Sequence, residues 1–86
     1  MDNSELKEAF DDALLRVKML PSQPGNVLLN MYGLYKQATT GDASGKRPGM
    51  TDFRGRAKFD AWVSRKGMSQ EDAMVEYVDY AEELGA

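Results

Sequence analysis

The sequence predicts an all-α protein, a small bundle of four helices in one domain spanning residues 1–86. Three observations predict this fold class. Apolar residues recur at intervals of three and four in four separate segments of the chain. Residues that cap or break helices separate those segments. No segment alternates apolar and polar residues in the way that a half-buried strand does.

The first two helices have recognisable boundaries. Asn3 or Ser4 is expected to cap the first helix, because both side chains accept hydrogen bonds from free backbone N–H groups. Pro21 is expected to stop that helix, since proline lacks the backbone donor that a helix interior needs. The second helix is expected from about Asn26 to Gly41, a residue that readily adopts the left-handed conformation found after helices.

The last two helices are predicted on the same grounds. Thr51 or Asp52 is expected to open the third helix, and Gly67 to cap its end. Ser69 and Asp72 form a capping-box pattern, which predicts the start of the fourth helix. Residues 39–53, which join the second and third helices, are mostly small or polar, and a connection of this length is often functional.

Composition excludes several classes of protein. The chain has neither cysteine nor histidine, so disulfides, zinc fingers and the Ser-His-Asp and Cys-His nucleophile systems are excluded. Neither the P-loop nor the G-x-G-x-x-G phosphate motif is present. Adjacent carboxylates such as Asp11 and Asp12 point to different faces of a helix. We therefore expect no catalytic residue, no metal site and no cofactor.

Charge is distributed unevenly along the chain. The net charge is −3, made up of −4 in residues 1–15, +7 in residues 16–66 and −6 in residues 67–86. A basic middle between acidic ends can focus one anion on one place. The overall negative charge weighs against a nucleic-acid partner. The alternative is that these charged residues simply lie on ordinary, solvated faces of the helices.

Two groups of residues are candidates for that anion site. Tyr32, Tyr35 and Lys36 share one flank of the second helix, and Arg54 and Lys58 lie at i and i+4 on the third. Rings together with cations suit a ligand that has an aromatic base and phosphates, which is a nucleotide. The alternatives are tyrosines at the core edge with hydroxyls in water, and solvated basic side chains.

Other conspicuous residues have simpler interpretations. Lys18 lies near the negative pole of the first helix, so helix stability alone would explain it. Phe59, Trp62 and Val63 are expected to be core residues of the third helix rather than a ligand platform. Lys46 and Arg47 add charge to the long connection.

The order of the motifs carries further information. YGLYKQAT at residues 32–39, RPGM at 47–50, AK.DAW at 57–62 and S.EDAM..Y at 69–77 together resemble the acyl-CoA-binding protein family, from about residue 10 to residue 84. The resemblance implies a four-helix up-down-down-up bundle. It also implies binding, buffering and intracellular transport of medium- and long-chain fatty acyl-CoA esters, without catalysis.

The resemblance also implies roles for individual residues. The stretch from Tyr32 to Lys36 would hold the adenine and the 3′-phosphate. Lys58 and Tyr77 would contact the same head group, and Arg54 stands where the family often has lysine. Lys18 matches a family lysine if a gap is allowed. The full set implied to bind acyl-CoA is Lys18, Leu28, Leu29, Tyr32, Gly33, Leu34, Tyr35, Lys36, Arg54, Lys58 and Tyr77.

The acyl chain has its own expected site. The resemblance assigns Leu28 and Leu29 to the acyl chain, and we expect Ala57 and Met50 to complete an apolar groove around it. One departure lies close by, since Phe59 occupies a position that is commonly tryptophan in the family.

We expect a cytoplasmic monomer that makes no stable membrane insertion and has acyl-CoA-using enzymes as partners. The N-terminal segment Met-Asp-Asn-Ser-Glu is acidic and polar overall, and no apolar run approaches the roughly 18 residues of a transmembrane helix. Three alternatives remain open from the residues alone: a helical module whose basic patch meets an acidic protein, a nucleic-acid binder and an enzyme.

Overall fold

The computed structural model describes residues 2–86, which form four α-helices and no strand. The helices are α1 (Asn3–Val17), α2 (Gly25–Thr39), α3 (Phe53–Val63) and α4 (Gln70–Glu83). This architecture confirms the predicted all-α class and the number of helices.

The N-terminal cap of α1 differs from the prediction. Asp2, and neither Asn3 nor Ser4, is the cap, because its carboxylate accepts the N–H of Glu5 at 2.8 Å. The backbone of Asp2 is extended, with φ −78° and ψ 170°, as a capping residue requires. A negative charge there also complements the positive end of the helix dipole.

The caps of α3 and α4 agree with the sequence. The carboxylate of Asp52 accepts the N–H of Gly55 at 2.9 Å, which selects Asp52 from the two predicted candidates. The hydroxyl of Ser69 accepts the N–H of Asp72 at 3.0 Å, which is the first half of the expected capping box.

Two helices end earlier than predicted. α1 ends at Val17 and not at Pro21, because the chain there turns through i to i+3 hydrogen bonds, such as that from the N–H of Leu20 to the carbonyl of Val17. α3 ends at Val63, and a run of turns follows it. Gly67, with φ +92°, lies at the end of those turns and not directly after the helix. By contrast, Gly41 closes α2 as predicted, with φ +95°.

The helices pack in the order α3, α2, α4, α1, and within residues 2–86 their backbones approach closely only between neighbours in that order. The main core lies between α1, α2 and α4, where Phe10 meets the ring of Tyr77 edge-on at 5.2 Å. Its buried members are Phe10, Ala13, Met31, Leu34, Ala38, Ala73, Tyr77 and Ala81. Burial of each large side chain contributes about 1.5–3 kcal/mol.

α3 lies outside that core and packs on α2 through other contacts. The indole N–H of Trp62, which is buried as expected, donates to the carbonyl of Gly41 at 2.7 Å. Phe59 is half-buried beside it, with ring centroids 6.2 Å apart. Val63 is exposed, so the prediction that it is a core residue is wrong: α3 has one neighbouring helix, and Val63 does not face it.

The axis of α3 comes close to α2 at Gly33. A Cβ atom on Gly33 would lie 2.5 Å from the carbonyl oxygen of Ala61 and 3.0 Å from its carbonyl carbon, both backbone atoms that cannot rotate away. Only glycine permits this approach. The position therefore sets how closely the two helices pack.

A polar network joins the ends of three helices. The buried Gln37 side chain donates from Nε2 to the carboxylate of Asp42 at 2.8 Å and to the carbonyl of Met68 at 2.6 Å. Asp42 also accepts the N–H of Gly67 at 2.9 Å. The Gly67 N–H and then the Gln37 amide hold the pKa of the Asp42 carboxyl below its ordinary value. The network ties the end of α2 to the chain between α3 and α4.

Gly33→Ala is expected to destabilise the fold by about 1–3 kcal/mol, because the new methyl group forces α2 and α3 apart. Gly25→Ala is the matched control in the same helix, since a Cβ there has no neighbour within 4 Å. Urea unfolding followed by circular dichroism measures both. Equal stability of the two variants would contradict the close approach.

The Asp42 network predicts a specific pH dependence. A carboxyl whose folded-state pKa is depressed stabilises the fold above its unfolded pKa of about 3.9, and this contribution is lost as pH falls through the folded value. The wild type should therefore be more stable than Asp42→Asn at neutral pH, and the difference should shrink in acid. Urea unfolding of both proteins at neutral pH and in acid tests this. A stability difference between them that does not change with pH would refute it.

Candidate functional site

A cavity of about 550 Å³ opens between the first half of α2 and the start of α3. We call it the α2–α3 cavity. Its wall is mostly apolar, and two cationic side chains stand in it. The lining residues are Gly25, Leu28, Leu29, Phe53, Arg54, Ala57 and Lys58. A volume of this size is typical of small-molecule sites.

The α2–α3 cavity brings together most of the residues that the sequence assigned to an acyl chain. Leu28, Leu29 and Ala57 form its apolar wall. Met50 does not line it, so that expectation is corrected: the side chain lies in the turn before α3 and is 77% exposed. The apolar groove expected from the sequence therefore exists, with one different member.

That different member is Phe53, which the sequence analysis did not single out. It is the first residue of α3 and lines the α2–α3 cavity, although 79% of its surface is exposed. A signal was present, because Phe53 and Ala57 lie at i and i+4, beside the Arg54 and Lys58 pair at the same spacing. Two parallel stripes, one apolar and one cationic, give a wall with both properties.

Cations from both helices rest on aromatic rings of the facing helix. The ammonium of Lys58 on α3 lies 5.3 Å from the ring centroid of Tyr32 on α2. The ammonium of Lys36 on α2 lies 4.6 Å from the ring centroid of Trp62 on α3. Each contact contributes about 0.5–2 kcal/mol, depending on its exposure. The two pairs join the tyrosine flank of α2 to the basic stripe of α3.

The two remaining tyrosines of the predicted site differ in exposure. Tyr35 is exposed, whereas Tyr77 is only 4% exposed and packs against Phe10. Burial raises the pKa of the Tyr77 hydroxyl, and the nearby Tyr35 adds to this effect. Tyr77 is therefore neutral at physiological pH and is part of the core, beside Tyr35.

Gly33 and Leu34 are placed in packing positions. Gly33 is buried against Ala61, and Leu34 is a core residue that is 2% exposed. Neither lines the α2–α3 cavity. The reason is geometric: the residues after Tyr32 point about 100° and 200° around the helix from it, toward α3 and α4.

Lys18 is separate from these residues. It is the exposed C-cap of α1 and does not line the α2–α3 cavity. The helix order explains this, because α1 packs on α4 and has no contact with α3. Among the predicted residues, the structure gathers Leu28, Leu29, Arg54 and Lys58 in one wall, with Tyr32 reaching Lys58.

The long connection before α3 is fixed to that helix by an ion pair. The guanidinium of Arg47 donates to both carboxylate oxygens of Asp60, at 3.0 and 2.7 Å. Arg47 lowers the pKa of Asp60, and Asp60 raises the pKa of Arg47. The charge of Arg47 is therefore paired with that of Asp60, whereas Lys46, the preceding residue, is exposed.

Neither a metal-binding cluster nor a membrane-spanning helix is found in residues 2–86. No group of three or more acidic side chains there is arranged to hold a metal ion. Within the same residues, no helix is both long enough and apolar enough to cross a bilayer.

The family of the chain follows from comparison with known proteins. The model of the family described as acyl CoA binding protein matches residues 7–81. The chain belongs to the acyl-CoA-binding protein family. Acyl-CoA-binding protein homolog 1 of Caenorhabditis elegans is 47% identical over 77 residues, covering 88% of this chain and 90% of the relative. The acyl-CoA-binding protein homolog of Manduca sexta is 48% identical over 81 residues, covering 92% of this chain and 90% of the relative.

Solved structures of the acyl-CoA-binding protein family have the same fold. The crystal structure of acyl-CoA-binding protein 2 of Oryza sativa superposes with a TM-score of 0.92 at 38% identity, covering 94% of this chain and 89% of that one. The crystal structure of the family protein of Moniliophthora perniciosa superposes with a TM-score of 0.85 at 41% identity. The match covers 91% of this chain and 78% of that one. These matches confirm the family resemblance and the predicted bundle type.

Proposed function

We propose that this protein binds medium- and long-chain fatty acyl-CoA esters without transforming them, and buffers and carries them between acyl-CoA-using enzymes in the cytoplasm. One observation carries the proposal: an apolar wall and a cationic, ring-bearing flank meet on the same two helices. An acyl-CoA ester has the matching two parts, a hydrocarbon chain and a nucleotide with several phosphates. The site uses no cofactor, and the protein acts as a monomer.

The nucleotide end of the ligand lies on the flank formed by Tyr32, Tyr35, Lys36 and Lys58. Both lysine ammonium groups rest on ring faces in the structure. A phosphate replaces the ring as the partner of the cation, and each charge-assisted bond is worth about 1.5–3 kcal/mol. The face of Tyr32 that Lys58 leaves becomes free to stack on adenine.

The acyl chain lies in the α2–α3 cavity against Leu28, Leu29, Phe53 and Ala57. Each methylene removed from water contributes about 0.8 kcal/mol, so a sixteen-carbon chain offers up to roughly 10 kcal/mol. Ordering a long flexible ligand offsets several kcal/mol of this. The sum allows nanomolar affinity, about −12 kcal/mol, only when both ends of the ligand are bound.

The chemistry of the cavity wall supports binding without turnover. Among the described residues of the wall, Arg54 and Lys58 are the only ones with ionisable side chains, and both are cations that act by charge. No carboxylate in the wall stands ready to activate water against the thioester carbonyl. Arg54, which lines the cavity four residues before Lys58, adds a second cation for the phosphates.

Isothermal titration calorimetry should rank palmitoyl-CoA far above CoA, and CoA above palmitate. The reason is that CoA lacks the methylenes and palmitate lacks the phosphates. Raised salt should weaken palmitoyl-CoA binding only in part, because the apolar contribution is not screened. Equal affinity for palmitate and palmitoyl-CoA would refute a role for the cationic flank.

Lys58→Ala should weaken palmitoyl-CoA binding about tenfold or more, the loss of one charged contact. Lys66→Ala is the matched control, because it removes an exposed lysine that does not line the cavity. Calorimetry gives both affinities, and circular dichroism checks that the helices remain. Equal losses for the two variants would mean that only general charge attraction operates.

A further inference from the structure

The two helices that wall the α2–α3 cavity run in the same direction. The ammonium of Lys58 on α3 contacts the ring of Tyr32 on α2. Four residues further along both helices, the ammonium of Lys36 contacts the ring of Trp62. Because the residue numbers of the contacting pairs rise together, α2 and α3 are parallel. Their first residues therefore lie at the same end of the cavity.

That end, which we call the far end, lies away from the contacts between cations and rings. Gly25 and Phe53, the first residues of α2 and α3, line the cavity there. The ring of Phe53 is largely exposed, so a hydrocarbon chain that reaches it removes further apolar surface from water. The far end is thus suited to hydrocarbon.

Position 25 faces the cavity, although glycine puts no side chain there. Successive residues of an α-helix are turned by about 100° around its axis. Position 25 therefore points between Leu28 and Leu29, which both line the cavity. A Cβ atom on Gly25 would meet no other group within 4 Å. A side chain at this position would project into open space at the far end, and glycine leaves that space open.

The length of α2 between the cation–ring contacts and the far end distinguishes short acyl chains from long ones. Gly25 precedes Tyr32 by seven residues, which is about 10 Å along a helix. An extended chain of single bonds advances about 1.2 Å per bond, as an extended protein backbone does. Eight carbons that begin beside Lys58 span about 8 Å and stop short of Gly25, whereas sixteen span about 18 Å and pass it.

We propose that Gly25 keeps the far end of the α2–α3 cavity open, so that long acyl chains pass the first turn of α2 and meet no sharp upper limit of length. The thioester end lies beside Tyr32 and Lys58, and the hydrocarbon runs toward Phe53. Each methylene on the wall strengthens binding about fourfold, and a methylene beyond the wall meets no obstacle. This inference rests on the proposed function and adds the residue that sets which chain lengths the site admits.

Calorimetry with octanoyl-, palmitoyl- and arachidoyl-CoA, which carry eight, sixteen and twenty carbons, tests the open end. The wild type should bind arachidoyl-CoA within about twofold of palmitoyl-CoA, or more tightly. Gly25→Leu should weaken binding of the two longer esters about tenfold or more, since displacing two methylenes suffices, and leave octanoyl-CoA within about twofold. Gly25→Ala, with its smaller side chain, should weaken palmitoyl-CoA binding less than Gly25→Leu does.

Gly49→Leu is the matched control. Gly49 is exposed, a Cβ atom there has no neighbour within 4 Å, and the residue does not line the cavity. This variant should bind all three esters within about twofold of wild type. Circular dichroism checks that the helices remain in each variant.

The ratio of the palmitoyl-CoA affinity to the octanoyl-CoA affinity decides the outcome, since a general loss of stability lowers both affinities. An unchanged ratio in Gly25→Leu would overturn the inference, and equal losses for all three esters would place the nucleotide at the far end, beside Arg54. Arachidoyl-CoA bound tenfold more weakly than palmitoyl-CoA by the wild type would also overturn it. Each of these results leaves the proposed function standing, whereas failure of the wild type to bind any of the esters would refute that function.

Discussion

The close approach of α2 and α3 at Gly33 is the constraint on which the rest of the site depends. It brings the backbone of Ala61 to a distance that no side chain at position 33 would allow. At that separation the ammonium of Lys58 reaches the ring of Tyr32, and the ammonium of Lys36 reaches the indole of Trp62. The same separation sets the width of the α2–α3 cavity, since its walls are the two helices.

Stability and binding are divided between different helices. The buried cluster that holds the fold together lies in α1, α2 and α4, whereas the cavity lies between α2 and α3. α2 belongs to both, with one face in the core and another in the site. α3 is held by Trp62, by the Gly33 contact and by the Gln37–Asp42 network rather than by a large apolar core. This division lets cations and exposed apolar groups accumulate on α3 without disturbing the core.

Local chemistry made much of the fold predictable. Helical spacing, Ser69 and Gly41 gave the number of helices and most boundaries, because caps and left-handed glycines act over a few residues. The errors have local causes as well. Asp2 competed with two equally suitable neighbours, and α1 ended before Pro21 because a run of turns satisfied its last carbonyls. Val63 was misjudged because helical spacing does not reveal that α3 has a single neighbouring helix.

The sequence by itself determined the four helices, the uneven distribution of charge along the chain, the family resemblance and the presence of rings and cations on the second and third helices. Each of these depends on composition, on spacing of three or four residues or on the order of motifs. Only the tertiary structure decided which of those residues share a surface. It placed Leu34 and Tyr77 in the core, left Lys18 outside the cavity, excluded Met50 from the wall and added Phe53. The physical reason is that a helical pattern fixes directions around one axis, whereas a site also needs the distance and rotation between two axes, which packing at Gly33 sets.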